Sequence, residues 1–154
     1  MITRRRGRGV PARALNPMMT LLVGRIGLPI PGIRLLRVHG RRSGRLHTVP
    51  VTITVADGTS YVVSVRGATD WSANLDAAGW CELVRGRHIE RVRAGRVRGV
   101  GAQDALARHV ARHGWATRRL LGVSRRPAGE ELAALADRTP VFELVPWDRP
   151  TSGN

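Results

Sequence analysis

Lysine is missing from all 154 residues, and the 26 basic residues are arginine throughout. Its absence excludes Schiff-base catalysis, attachment of pyridoxal phosphate and the phosphate-gripping lysine of a P-loop, each of which needs a primary amine. Cysteine occurs once, at Cys81, so neither an intrachain disulfide nor a thiolate zinc cluster can form, and a cytoplasmic protein is the expectation. Cys81 lies in an apolar run and reads as a buried, inert thiol. Aromatic residues make up only 4% of the chain, which leaves few stacking platforms for a single strand of nucleic acid. The 11 acidic residues stand singly apart from Glu130 and Glu131, so no carboxylate pair points to glycosidase-type chemistry. Long apolar runs are also lacking. The stretch from Leu15 to Ile33 is broken by Pro17, Arg25, Pro29 and Pro31, and neither a signal peptide nor a bilayer-spanning helix is expected there.

What is present is positive charge, +15 in all, which sets up a field attractive to anions. Part of the arginine, alanine, glycine and valine bias has the character of a GC-rich codon table. The length suits one domain. We divide the chain into a basic tail over 1–11, a single domain over 12–146 and a polar tail over 147–154. The domain's first element is expected to be an amphipathic helix from Ala12 to Ile26, ended by Gly27 and the Pro29/Pro31 pair. Such a helix can cap the core or lie on an anionic membrane surface.

Strand patterns dominate the rest of the domain. Ile33 to His39 is a short apolar run. From Leu46 to Val55, Thr48, Thr52 and Thr54 alternate with Val49, Val51, Ile53 and Val55, the period-2 pattern of a half-buried strand. Asp57-Gly58 predicts a hairpin turn, with a return strand over Thr59 to Val65. Asp70 to Ala78 predicts a short helix, and strands resume at Trp80 to Arg85 and Ile89 to Val100. Two helices, Gln103 to His113 and Gly129 to Asp137, precede a last strand from Thr139 to Val145. Five or six antiparallel strands with few helices predict a small β-barrel carrying peripheral helices.

Two loops carry the chemistry. Gly40-Arg41-Arg42-Ser43-Gly44-Arg45 and Ser64-Val65-Arg66-Gly67-Ala68, the latter followed by Trp71 and Asn74, sit at strand ends. Each offers guanidinium forks, a small hydroxyl and a glycine that allows backbone N–H groups to approach an oxyanion. Together they form a candidate clamp for an anionic cofactor.

The order Gly40 to Pro50, the Asp57-Gly58 hairpin, and Ser64 to Gly67 with Trp71 and Asn74-Leu75 resembles the deazaflavin-dependent nitroreductase family of actinobacteria, over roughly residues 34–145. The resemblance implies a flavin-reductase-like split β-barrel that binds reduced coenzyme F-420 and passes its hydride to a quinone, a nitro compound or another electrophile. It implies that Arg42 contacts the cofactor's phosphate or glutamate tail, with Arg41 and Arg45 beside it and Ser43 and Gly44 completing the cradle. His47 stands where the family commonly has arginine, and Arg66 is placed to compensate. Val49 and Pro50 fall in the region that faces the deazaflavin ring. Ser64 is the polar group expected at the reacting edge, with Gly67, Ala68, Trp71 and Asn74 nearby. A lone tyrosine, Tyr61, argues against the tyrosine-lined pocket of some nitro-reducing members. Trp115 and the N-terminal helix are candidate linings for an acceptor pocket instead, and a homodimer is a further expectation.

Two other readings stay open. A flavin mononucleotide protein could use the same barrel, and Arg85, Arg87, Arg91, Arg93, Arg96 and Arg98 on one hairpin could serve a nucleic-acid-binding module. His109 and His113, four apart on a helix, are read as exposed rather than as metal ligands, since no third ligand accompanies them. No metal site is expected.

Overall fold

The computed structural model describes residues 33–148. Six strands, β1 (Ile33–His39), β2 (Leu46–Ala56), β3 (Thr59–Val63), β4 (Trp80–Arg85), β5 (His88–Val97) and β6 (Val141–Pro146), pair antiparallel and close into a barrel in the order β1-β2-β3-β6-β5-β4. Helix α1 (Asp70–Ala78) follows β3, while α2 (Gly99–Leu121) and α3 (Gly129–Arg138) lie between β5 and β6. This is the small antiparallel barrel that the strand patterns predict.

The alternation in β2 decides which way its side chains point. Val49, Val51 and Ile53 pack into the barrel with Leu36, Val38, Val62, Leu83, Phe142 and Leu144, and Leu75 of α1 joins them. Fully burying a side chain such as Leu36 or Phe142 contributes about 1.5–3 kcal/mol each. The hairpin between β2 and β3 leaves two residues out of the ladder, Asp57 and Gly58, at φ of 51° and 77°. Positive φ at both fits a type I′ turn, whose twist matches that of the strands. On the outside of β3 and β6, helices α2 and α3 pack Ala105, Leu106, Val110, Leu132 and Leu135 over Val63 and Val141 as a second core.

β3 pairs with β2 only from Ile53 onward, so among the described strands residues 46–52 of β2 pair with β1 alone. Gly40 N donates to Arg45 O at 2.8 Å, which fixes the ladder's phase and makes Leu35 and Pro50 a non-hydrogen-bonded pair. Pro50 therefore turns its ring nitrogen toward the unpaired edge, where a missing N–H leaves no carbonyl of β1 unsatisfied.

Several boundaries differ from expectation. β3 stops at Val63, two residues early, because Ser64 N donates to Pro140 O and the chain then turns, Gly67 N bonding to Ser64 O. β5 stops at Val97 rather than Val100, and α2 starts at Gly99 rather than Gln103. The same helix runs on past His113 to Leu121 across Gly114, whose φ of 73° and ψ of −160° lie in a region that essentially only glycine occupies. β6 begins at Val141, since Thr139 closes α3. The expected tail over 1–11 and the helix from Ala12 to Ile26 lie outside the described residues. Trp147, expected in the C-terminal tail, is held to the sheet by its N–H donating to Arg91 O at 3.0 Å.

Candidate active site

The first loop, residues 40–45, closes on itself. Gly44 N donates to Gly40 O at 2.9 Å, and Arg45 N donates to Ser43 Oγ at 3.2 Å. Gly44 takes a φ of +68°, a conformation that would strain any residue with a Cβ. A Cβ on Gly40 would lie 2.8 Å from Ser43 Oγ and 2.9 Å from His47 Nε2, so the bare glycine lets both side chains fold over the loop. His39 braces it from outside, its ring nitrogen donating to Gly44 O at 3.1 Å.

The second loop, residues 64–69, is tied from within. Ser64, 1% exposed, donates its Oγ hydrogen to Gly67 O at 2.6 Å and lies 3.1 Å from Thr69 Oγ1. Its hydroxyl is thus turned into the loop. Thr69 caps α1 through a reciprocal pair of bonds with Ser72, an arrangement worth about 1 kcal/mol. Ser64, Thr69 and Ser72 form one hydroxyl chain that fixes where the loop ends and the helix begins.

Arg41 joins the first loop to α1. Its backbone N–H and its Nη1 both donate to Asn74 Oδ1, at 3.1 and 2.7 Å, and Nη2 lies 3.6 Å from Asp70 Oδ1. Asn74 is only 5% exposed, so its carbonyl oxygen is a fixed anchor on α1. The expectation set Arg41 beside the anionic ligand; in the structure its side chain buckles the loop to α1, with Nη2 toward Asp70. The T-x-x-S spacing of Thr69 and Ser72 is the missed signal for this capped helix start.

The remaining candidates divide clearly. Arg42, Ser43, Gly44, Arg45, His47, Arg66 and Ala68 are exposed, and Arg42, Arg45 and Arg66 enter no ion pair among the described residues. Pro50 and Gly67 are half-buried. Val49 points into the barrel core, and Trp71 packs there too, its ring 6.4 Å from that of Phe142. Arg96, grouped in sequence with the other arginines of one hairpin, shares the inward face of β5 with Val92 and Ala94. Its guanidinium lies 5.5 Å from the Phe142 ring centroid and 3.9 Å from Asp76, and its Nε is buried without a hydrogen-bond partner. The period-2 pattern of β5 carries that signal.

Elsewhere, His109 is 1% exposed, which corrects its reading as a solvent-facing helix residue. Thr54 Oγ1 lies 2.7 Å from His109 Nδ1 and 3.0 Å from His113 Nε2. Burial, with His113 beside it, pushes the His109 imidazole down to about 4. Burial and Arg112 lower His113 as well. Among the described residues no group of three His, Cys, Asp or Glu side chains could hold a metal. Cys81 is buried and its thiol is pushed up to about 12, by burial first and Glu82 second, so it carries no reactive thiolate near neutrality.

A closed antiparallel barrel with two glycine-bearing loops at its strand ends, the first clasped to α1 through Arg41 and Asn74, has the architecture of a split barrel of the flavin-reductase type. Residues 12–126 match the model of the F420H2-dependent quinone reductase family, and the chain belongs to that family. It is therefore a deazaflavin-dependent oxidoreductase. Solved structures agree on the fold. One described as an F420-H2 dependent reductase is 19% identical, with a TM-score of 0.52 over 74% of this chain and 94% of its own. A second, described as a domain-swapped dimer, is 17% identical with a TM-score of 0.53 over 86% and 96%. A putative pyridoxamine 5'-phosphate oxidase from Listeria innocua is 11% identical with a TM-score of 0.52 over 79% and 89%. No curated protein matches the chain.

Proposed function

We propose that the chain binds the reduced deazaflavin across the two clasped loops and delivers its hydride to a quinone or a related small electrophile. The observation that carries this reading is the Arg41–Asn74 clasp, which sets the loop of residues 40–45 against α1 beside the Ser64–Thr69 loop. Because Arg41 faces Asp70, the cations left to grip phosphate or carboxylate oxygens are Arg42, Arg45 and Arg66, with Ser43 and the Gly44 N–H beside them. This donor set suits a polyanionic group and has little to offer a cation.

When bound, the deazaflavin supplies the transferable hydride, so the protein needs no nucleophile of its own. The chain's part is placement. Ser64 holds the second loop rigid through Gly67 O and Thr69, and in this role it positions the reacting edge rather than touching it. Pro50, on the open edge of β2, offers a flat apolar surface with no N–H to compete for the ring. His47, its ring folded over Gly40, offers a ring nitrogen for a hydrogen bond. A homodimer is consistent with the barrel, and the domain-swapped relative gives it support at the level of fold.

Fluorescence titration with oxidised and reduced coenzyme F-420 tests the reading, followed by oxidation of the reduced form with menadione and with nitroaromatics. Arg42→Ala should weaken cofactor binding by about 1.5–3 kcal/mol, the scale of hydrogen bonds to a charged group, and leave the thermal midpoint unchanged. A dissociation constant equal to the parent's would remove Arg42 from the site.

A further inference from the structure

We propose that the helical segment Trp115–Leu121 is a contact surface for an anionic lipid bilayer. Two large apolar side chains here are open to solvent, Trp115 at 68% and Leu120 at 56%. At about 100° per residue, Trp115, Ala116, Arg119 and Leu120 fall on one side of the segment, and all four are exposed. Leu121, on the opposite side, packs into the second core with Leu132 and Leu135.

Their exposure belongs to a fastened element. Gly114 breaks α2 and sets the direction of the segment. At its far end Arg138 Nη2 donates to Leu121 O at 2.9 Å, and the N–H of Gly122 bonds to Arg118 O. Beyond it, Ser124 is pinned by Glu131, which accepts from the backbone N at 2.6 Å and from Oγ at 2.8 Å. A tryptophan and a leucine held out to water on a segment tethered at both ends have an apolar cost that burial would remove.

Charge selects the partner. From Ala105 to Gly129 the chain has six arginines and no acidic residue, and Arg112, Arg119, Arg125 and Arg126 are exposed. One of the six, Arg108, is paired with Asp57 at 2.7 Å, and Glu131 is the carboxylate that folds back toward this end. Exposed arginines around an indole and a leucyl side chain combine attraction to acidic headgroups with shallow apolar insertion. No described helix is long and apolar enough to cross the membrane, so the contact is one of lying on the surface.

The test uses the full chain, without cofactor, so that its outcome is separate from that of the hydride reaction. Co-sedimentation with vesicles of equal parts phosphatidylglycerol and phosphatidylcholine should show binding that vesicles of phosphatidylcholine alone do not support and that about 0.5 M salt weakens. Trp115→Ala and Leu120→Ala should each lower vesicle affinity by about tenfold, with circular dichroism melts matching the parent. Brominated lipid should quench parent fluorescence and leave that of Trp115→Ala largely unquenched. Absence of vesicle binding by the parent overturns the proposal, as does undiminished binding by both variants, which would put the contact elsewhere in the chain. Self-association in sedimentation velocity that both substitutions abolish would also overturn it, by making a second copy the occupant.

Discussion

The clasp between the first loop and α1 and the cluster beneath α2 are both built from polar side chains, and they use their hydrogen bonds to opposite ends. In the clasp, Arg41 and Asn74 satisfy each other, and Arg42, Arg45 and Arg66 remain exposed around them. Beneath α2, Thr54 is 1% exposed and its hydroxyl meets both His109 and His113, whose rings lie 4.6 Å apart. A hydroxyl has one hydrogen to give and lone pairs to accept, so two neutral imidazoles complete it. Polar groups that are buried and mutually satisfied hold the barrel; the cations that face water around the clasp are the ones we propose for binding. Charge count alone separates neither class.

The sharpest way to break this contrast is His109→Ala. Removing a buried ring leaves a cavity and takes one partner from Thr54, and the expected loss of stability is about 2–4 kcal/mol, read as a lower urea midpoint. The deazaflavin dissociation constant should stay at its parent value. A large fall in cofactor affinity at unchanged stability would place the histidine cluster in the site and erase the distinction.

Acid offers an effect of similar size with a defined sign. His109 is pushed down to about 4 from an ordinary value of 6.5, by burial first and His113 second. Between those values the unfolded chain binds a proton that the folded one refuses, so stability rises with pH across that window. The contribution is fully present above about pH 6.5 and is lost as pH falls toward 4, on the order of 3 kcal/mol in total. His113 is lowered too and acts in the same direction. Urea midpoints measured from pH 7 to pH 4 should fall, and His109→Gln should flatten the slope. A midpoint independent of pH in the parent would show that the imidazole is not held neutral by burial.

Much of the barrel could be read from alternation. Val49, Val51 and Ile53 against Thr48, Thr52 and Thr54 gave β2 its faces, and Asp57-Gly58 its turn. What could not be read depended on contacts distant in sequence. Thr54 belongs to the outward, polar series of β2, yet α2 covers it, and only the tertiary pairing 55 residues away shows that His109 is buried with it. Arg41 and Arg42 are adjacent and chemically alike; the anchor that parts them, Asn74, lies 33 residues on. Val49 and Trp71 fall in motif stretches, and their half-buried packing against the barrel core depends on Phe142 and other distant residues. Gly114 gave no local sign that a second helical segment would follow. For the site, the two loops were legible as a pair of candidates, but nothing in the sequence said which arginine would tie the first of them to α1.

Asn74→Ala is the finest probe of the clasp, because it disturbs the joining contact and leaves each exposed cation in place. Arg41 would lose the acceptor of both its backbone N–H and its Nη1. Its ion pair with Asp70, whose carboxylate is almost fully exposed, is too well solvated to replace them. The expected cost in stability is about 1–2 kcal/mol, smaller than for His109→Ala. Cofactor affinity should fall with it, since Arg42 and Arg45 would be carried on a loop no longer fastened to α1. Asn74→Asp retains an acceptor and should restore most of that affinity, whereas Arg42→Ala in the Asn74→Ala background should cost less than it does alone. Fully additive losses in that double-mutant cycle would show that the two residues act independently, and the clasp would then be an ordinary surface contact.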